Sequence, residues 1–373
     1  MSKRILITGG AGFVGSHLAD GLLRAGHSVR VLDNLTPQVH ADGIPGYLSP
    51  DVELITGDVR NPGDIKKALE AVDVIYHFAA AVGVGQSMYE INRYMSINTQ
   101  GTAELLQAML DARMIPDKLI VASSMSIYGE GSYVCADCGA AAAPPVRPTS
   151  QLRSGQWDLA CAVCGGVLRP VATREDKASE LNSIYALSKR DQEEMCLIYG
   201  RTYDIPVTAL RFFNIYGTRQ ALSNPYTGVA AIFASRLING QAPLVFEDGE
   251  QMRDFVNVKD IVRACMLAME RPESDGQVLN IGSGTPISIR SVAEILASSL
   301  EVSIEPVITR KYRAGDIRHC YADISRARAV LGYEPRVTHQ DGFQELAAWL
   351  ASQEAEDKAE TMLQQLSAWG LTA

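Results

Sequence analysis

The chain has no apolar run close to the roughly 20 residues that a membrane helix requires, although 47% of its 373 residues are hydrophobic. No secretory leader is expected. Strand-like Arg4-Ile5-Leu6-Ile7-Thr8 begins almost at the first residue, with no charged and then apolar stretch before it. A basic surplus is missing too. The net charge of -9 argues against a nucleic-acid partner, because a phosphate backbone needs a basic face. A small anionic ligand held by a few placed arginines stays open. There are no internal repeats. The expectation is a cytoplasmic protein that binds neither membrane nor nucleic acid. Its length allows one large or two unequal domains.

What is present is alternation. Residues 4–8 read as a buried strand, followed by a glycine-rich turn and a helix over 13–24. Further strands fall at 28–32, 52–55, 73–77 and 118–122, and 91–112 carries helical spacing. Strands alternating with helices pair in parallel, which predicts an α/β, doubly wound parallel sheet. From Gly129 to about Ser179 the rhythm breaks into prolines, alanines and four cysteines, and this stretch reads as an insertion. Helical spacing returns over 184–199, and 206–211 is a sixth strand. Beyond Asn214 the pattern loosens into helices at 226–239, 258–270 and 289–300 and extended pieces at 244–246 and 278–281, which suits a smaller second domain. Residues 356–369 read as an extra amphipathic helix that packs on the surface or on a partner subunit.

Gly9, Gly12 and Gly15 stand as G-x-x-G-x-x-G between the first strand and the first helix. Glycines there let the backbone turn tightly and approach a pyrophosphate at the helix N-terminus, so a dinucleotide is expected. Asp33 ends the second strand, 18 residues after Gly15, where a carboxylate accepts from adenine ribose hydroxyls. It would repel a 2′-phosphate, which favours NAD over NADP. Phe13, Val14, Asn34, Phe78, Ala79 and Ala80 are assigned to the same surface, with Asp58 and Val59 flanking the adenine.

Tyr185 and Lys189 lie four apart on a predicted helix and therefore on one face. A cation beside a phenol favours phenolate, and the phenolate can take a proton from a substrate hydroxyl while hydride leaves for a nicotinamide. The fifth strand runs into Ser123-Ser124-Met125-Ser126-Ile127-Tyr128-Gly129 at the carboxyl edge of the sheet, where ligands bind.

Cys135 and Cys138 form one Cys-x-x-Cys pair and Cys161 and Cys164 a second, with 22 residues between the pairs and a glycine after each. Four thiolates so spaced suit a closed tetrahedral zinc site of ribbon type, structural in role because no coordination position is left open. Disulfides are the alternative, which a reducing compartment disfavours. Cys196, Cys265 and Cys320 are scattered and read as core.

The segments TGGAGFVGSHL (8–18), HFAA (77–80), NTQGT (98–102), SSMSIYG (123–129), YALSK (185–189), RFFNIYG (211–217), RDFVNVKD (253–260) and RAGDIRHCYAD (313–323) together resemble the extended short-chain dehydrogenase/reductases, specifically the nucleotide-sugar epimerases. The resemblance implies a Rossmann-type doubly wound parallel sheet with a smaller C-terminal substrate domain, here with an inserted zinc-ribbon-like module. The expected division is an NAD-binding domain at 1–130 and 180–215, a four-cysteine module at 131–179, a mainly substrate-binding domain at 216–350 and an extra helix at 351–373. It implies that Ser124 hydrogen-bonds the reacting hydroxyl, Tyr185 is the base, Lys189 also holds the nicotinamide ribose, and Asn98, counted among the cofactor-binding residues, supports the site. Asn214 and Arg253 would contact a substrate diphosphate, with Arg313 and Asp316 near the nucleotide. A homodimer through the helices carrying Asn98 and Tyr185 is also implied. The 61 residues from Ser124 to Tyr185 far exceed the family's usual spacing, which leaves a module grafted beside the site as a lid, a wall or a subunit contact.

Relatives that dehydrate or decarboxylate their sugar carry Asp or Glu where this chain has Met125 and Ser126. Neither can act as an acid, so what the resemblance implies is C4 epimerisation. The sugar pocket would be lined by 81–89, including Val82 and Gln86, by Ser126, and by 220–226. The first stretch resembles the branch acting on dTDP-L-rhamnose to give a dTDP-6-deoxy-L-talose product, and apolar Val82 suits a deoxy sugar. UDP-hexose or UDP-uronate 4-epimerisation is the alternative, and an NAD-binding scaffold or regulator a more distant one.

Overall fold

The computed structural model describes residues 2–222, 224, 226, 228–313, 315–353, 357 and 359–372. Seven parallel strands form one sheet in the order Val278–Ile281, Val207–Phe212, Lys118–Ser124, Val74–His77, Arg4–Thr8, Ser28–Asp33, Glu53–Thr56. The order reverses between Arg4–Thr8 and Val74–His77, whose last residues, Thr8 and His77, are register partners. A crevice opens outside the carboxyl ends at such a reversal.

The strands read as continuous apolar runs because both of their faces are covered. Ile5, Ile7, Val31 and Tyr76 pack on one face with Leu18, Leu22, Ile261 and Cys265 of the helices Phe13–Arg24 and Val258–Glu270. Leu6, Leu32, Ile75 and Val121 pack on the other with Ile65, Leu105, Met109, Cys196 and Leu197 from Pro62–Ala68, Gly101–Asp111 and Ile184–Tyr203.

Beyond this sheet, Met252–Asn257 pairs with Asn214–Tyr216, Pro286–Ser288 and His319–Cys320. Phe233, Phe255 and Leu296 fill a separate core there, and Tyr216 stacks on Phe343 with ring centroids 4.3 Å apart. The 129–179 stretch adds no strand to the main sheet. Ser132–Cys135 pairs antiparallel with Ala141–Ala142 and with Leu168–Val171, over a small core of Tyr133, Cys135, Cys161 and Leu168. No helix among the described residues is long and apolar enough to cross a membrane.

Several elements depart from expectation. Val278–Ile281 and Val258–Glu270, read with the smaller second domain, are instead an edge strand of the main sheet and a helix that covers one of its faces. The single helix expected over 91–112 is broken: Ile91–Tyr94 and Gly101–Asp111 are α-helical, and Met95–Gln100 between them is wound wider, as a π-helix. The wider turn carries Asn98, whose side chain is bonded outside the helix. The C-terminal helix spans Ala359–Ala368, and Glu356, where the sequence reading begins it, lies outside the described residues. It packs on this chain's own cleft, as described below.

Candidate active site

A cavity of about 500 Å³ runs along the carboxyl ends of the central strands and meets a second, of about 330 Å³, that extends toward 244–253 and 313–317. Gly83, Val84, Met125, Ser126, Asn214 and Tyr226 line both.

At the far end of the larger cavity the glycine turn fits a dinucleotide. Gly9 has φ +70° and a Cβ there would lie 2.8 Å from the backbone of Ala79; one on Gly15 would lie 2.5 Å from Gly10 Cα. Only glycine permits these approaches, which bring the N-terminus of Phe13–Arg24 to the cavity wall with no side chain over it. Phe13, Val14, Asn34, Val59, Phe78, Ala79 and Ala80 line this cavity. Asp33 is buried, its Oδ2 accepting from Ala11 N (3.1 Å) and its Oδ1 from Leu35 N (2.9 Å), so it braces the turn as well as facing the cavity. Hydrogen bonds from Arg60, and one from Asn34, hold the Asp58 carboxyl down at about 2.

Beneath the cavity floor lies a network that sequence reasoning did not find. Thr8 Oγ1 accepts from Phe78 N and Ala79 N, both at 3.1 Å, and so donates to His77 Nδ1 at 2.9 Å. That places the ring proton on Nε2, 2.9 Å from Thr102 Oγ1, and Thr102 donates to the Asn98 carbonyl at 2.6 Å. Burial, with Lys189 adding to it, drops the His77 pKa to about 3, so the ring is neutral.

Ser124, Tyr185 and Lys189 converge at the near end of the same cavity, all buried. Ser183 caps the tyrosine helix by accepting from Ala186 N, and Tyr185 N donates to Ser87 Oγ (3.0 Å). Lys189 Nζ donates to the Ala122 carbonyl at 2.9 Å. The expected depression of the phenol by Lys189 is not what this geometry produces. Burial pushes Tyr185 up to about 12, opposed by a hydrogen bond with Ser124, while burial brings Lys189 down to about 7.

Asn98 is the one predicted cofactor contact that lines neither cavity. It is fully buried, with Oδ1 accepting from Ala81 N (2.7 Å) and Nδ2 donating to Ala81 O (3.0 Å) and Ser188 Oγ (2.9 Å). It ties the loop after the fourth strand to the tyrosine helix instead of touching the cleft.

Val82 lines the larger cavity from an exposed position. Gln86 lines it too, but is committed to Tyr94, Gln38 and Glu90. Of 220–226, Gln220, Ala221, Asn224 and Tyr226 line it, and Ser223 and Pro225 lie outside the described residues. Asn214 Oδ1 and Ser126 Oγ are buried without a protein partner where the two cavities meet. Arg253, Arg313 and Asp316 line the smaller cavity. Arg253 donates to the carbonyls of Met252, Ile317 and Arg318 and to Asp316 Oδ1; Arg313 lies over the Phe246 ring at 4.7 Å with Nε 3.6 Å from Asp316 Oδ2.

The C-terminal helix closes this smaller cavity. Met362, Leu363, Leu366 and Leu371 line it, Gln365 accepts from Tyr226 Oη at 2.6 Å, and Trp369 stacks on Tyr89 at 6.0 Å.

The model of the NAD dependent epimerase/dehydratase family matches residues 5–151 and 160–282. The chain belongs to that family. It is 33% identical over 355 residues to the dTDP-L-rhamnose 4-epimerase of Burkholderia thailandensis, covering 94% of this chain and 96% of that one. It is 30% identical to a putative UDP-glucose 4-epimerase of Methanocaldococcus jannaschii, covering 93% and 98%. Among solved structures, a Thermotoga maritima UDP-glucose 4-epimerase with UDP-glucose superposes with TM-score 0.77 at 28% identity, over 93% of this chain and 98% of that one. A Bacillus cereus UDP-glucuronic acid 4-epimerase in complex with UDP-glucuronic acid and NAD does so at 0.77 and 27%, over 93% and 99%. The chain is accordingly an enzyme of the epimerase type, and the glycine turn and Asp33 are where its fold would hold NAD.

Outside the cleft, the four thiols of Cys135, Cys138, Cys161 and Cys164 lie within 4.8 Å of one another. Cys135 and Cys164 Sγ are 3.5 Å apart and Cys138 and Cys161 Sγ 3.8 Å, close to the edges of about 3.8 Å of a tetrahedron with zinc–sulfur bonds of about 2.3 Å. Val163 N and Gly166 N point at Cys161 and Cys164 Sγ, each at 3.4 Å.

Proposed function

We propose that this enzyme inverts C4 of a nucleotide-diphosphate sugar, with dTDP-L-rhamnose the first candidate and a dTDP-6-deoxy-L-talose sugar the product. The observation that carries the reading is the junction of the two cavities. Buried Ser124 and Tyr185 line the larger cavity, and Ser126 Oγ and Asn214 Oδ1 wait at the junction for partners. None of its described lining residues, Gly83, Val84, Met125, Ser126, Asn214, Tyr226, Gly228 and Val229, is an acid. A sugar held there can be oxidised and reduced, but no carboxyl group stands by to drive loss of water.

NAD, when bound, supplies a hydride acceptor and donor and a positive charge beside the phenol. That charge, with Lys189, offsets the burial that keeps Tyr185 protonated. Ser124 orients the C4 hydroxyl, and Tyr185 Oη takes its proton as the C4 hydride leaves. After the 4-keto sugar turns over, Tyr185 returns the proton as hydride arrives on the opposite face. Lys189, fixed by the Ala122 carbonyl, holds the tyrosine face and the ribose edge in register. Arg253 and Arg313 serve the diphosphate end.

A 6-deoxy sugar is favoured because the junction is neutral and largely apolar. A uronate would bury its carboxylate there without a cation among those lining residues. The B. thailandensis relative supports the same substrate. The test is incubation with dTDP- and UDP-sugars, followed by NMR and mass. A new isomer of dTDP-L-rhamnose with unchanged mass supports the reading. Turnover of UDP-hexoses or UDP-uronates alone transfers it to those sugars, and a product lighter by water or carbon dioxide overturns it.

We read the cysteine cluster as a structural Zn²⁺ site in an inserted ribbon over 131–179, on the strength of the sulfur spacings and the amides aimed at them. Exposed Ile198 and Tyr203 on the tyrosine helix and Leu110 on the Gly101–Asp111 helix favour a homodimer through those helices.

A further inference from the structure

We propose that the inserted cysteine segment is a positioning element for Arg253, the diphosphate-end arginine, and that it acts through Arg147. The proposal rests on reading the cleft as a nucleotide-diphosphate-sugar site.

Arg147 belongs to the insertion, and its side chain is wholly buried. Nη1 donates to Glu247 Oε2 (2.9 Å) and to the Trp157 carbonyl (3.0 Å); Nη2 donates to Glu247 Oε1 (2.8 Å) and to the Asp316 carbonyl (3.1 Å). One planar fork thus joins two segments of the insertion to two segments beyond it. Around it the insertion grips 316–319 again. Asp158 Oδ1 accepts from Arg318 Nε at 2.9 Å, and Glu130, at the insertion's base, accepts from Arg318 N at 2.6 Å and from His319 N at 3.3 Å.

The far side of that same segment presents Ile317 O (2.6 Å), Arg318 O (2.9 Å) and Asp316 Oδ1 (3.3 Å) to Arg253. Three of the four acceptors that aim Arg253 therefore lie on the segment placed by Arg147, Asp158 and Glu130; the fourth is the carbonyl of neighbouring Met252. Trp157 and Asp158 lie four and three residues before Cys161, so the cysteine knuckle fixes the loop that holds the fork. Both Nη atoms of Arg253 are committed to these acceptors, so a shift of 316–319 carries the guanidinium with it and moves its charge against a diphosphate without moving Ser124, Tyr185 or Lys189.

The test compares wild type with Arg147→Met and Arg147→Lys in the full chain. It measures dTDP and UDP affinity by calorimetry, NAD affinity, folding by circular dichroism, and KM and kcat on whichever sugar the wild type converts. Arg147→Met is expected to weaken nucleotide binding and raise KM at least tenfold, with kcat within about threefold and NAD affinity unchanged. Arg147→Lys, which keeps the charge but not the fork, should recover part of the loss. It carries the test alone if the methionine variant does not fold. Wild-type nucleotide affinity in the folded variants overturns the proposal, as does a fall in kcat and stability with KM unmoved. Failure of the wild type itself to bind dTDP or UDP overturns the reading of the cleft and this proposal with it.

Discussion

Tyr185 and Lys189 stand four residues apart in the sequence, but their chemistry is set by burial rather than by that spacing. With burial holding the phenol near 12 and the ammonium near 7, neither group carries its useful charge without a neighbour. Tyr185→Phe should therefore cut turnover by about a thousandfold while NAD affinity, measured by fluorescence titration, changes little; turnover within tenfold of wild type would remove Tyr185 from the proton path. His77 makes a second prediction. Its folded pKa of about 3 lies below the ordinary 6.5. Between those values the unfolded chain binds a proton that the folded chain does not, so stability falls as pH drops through that window, by up to ~1.4 kcal/mol per pH unit from this one group. Denaturation curves from pH 7 to 4.5 should show a shallower loss in His77→Gln than in wild type, and equal slopes would contradict the assignment.

At the scale of elements, the glycine turn and the tyrosine helix were legible because their signals are local. A strand, three spaced glycines and a helix occupy a dozen residues, and the backbone has few other ways to connect them. The π-helical turn at Met95–Gln100 was not legible. Nothing in that sequence forbids an α-helix, and the wider turn accompanies bonds from Asn98 to Ala81 and Ser188, partners 17 and 90 residues away. The C-terminal helix shows the same limit. Its amphipathic pattern announces a buried face but not what covers that face. In the structure it seals the smaller cavity, with Gln365 on Tyr226 and Trp369 on Tyr89. Deleting residues 352–373 should raise KM for the nucleotide sugar about tenfold and leave NAD affinity unchanged, because those contacts lie at the substrate end of the cleft. Unchanged KM on truncation would make the helix a bystander.

Across the whole molecule, two sheets meet on one cleft and the inserted module stands beside it, with no residue of 131–179 lining either cavity and so no lid or wall over it; the module is also the part least able to stand alone. Its core is Tyr133, Cys135, Cys161 and Leu168 with a few flanking groups, too small to hold a fold without a staple. Metal analysis should find about one zinc per chain. Chelation should expose 136–165 to limited proteolysis while the seven-stranded sheet keeps its circular dichroism; a metal-free protein with the same protection would remove zinc from the account.

The sequence by itself determined the parallel α/β sheet, the dinucleotide turn, the Ser124, Tyr185 and Lys189 set and the four-cysteine pattern, because each is written in residues close together or in a periodicity that one backbone geometry satisfies. Tertiary structure decided the rest. It made Asn98 a tie between loop and helix and laid the last helix over the smaller cavity. It also gathered Glu130, Arg147, Glu247 and Arg318 into one buried cluster. Those four span nearly 190 positions, and each alone reads as a surface charge. Only the folded chain brings them close enough, and far enough from water, for their pairing to fix a geometry.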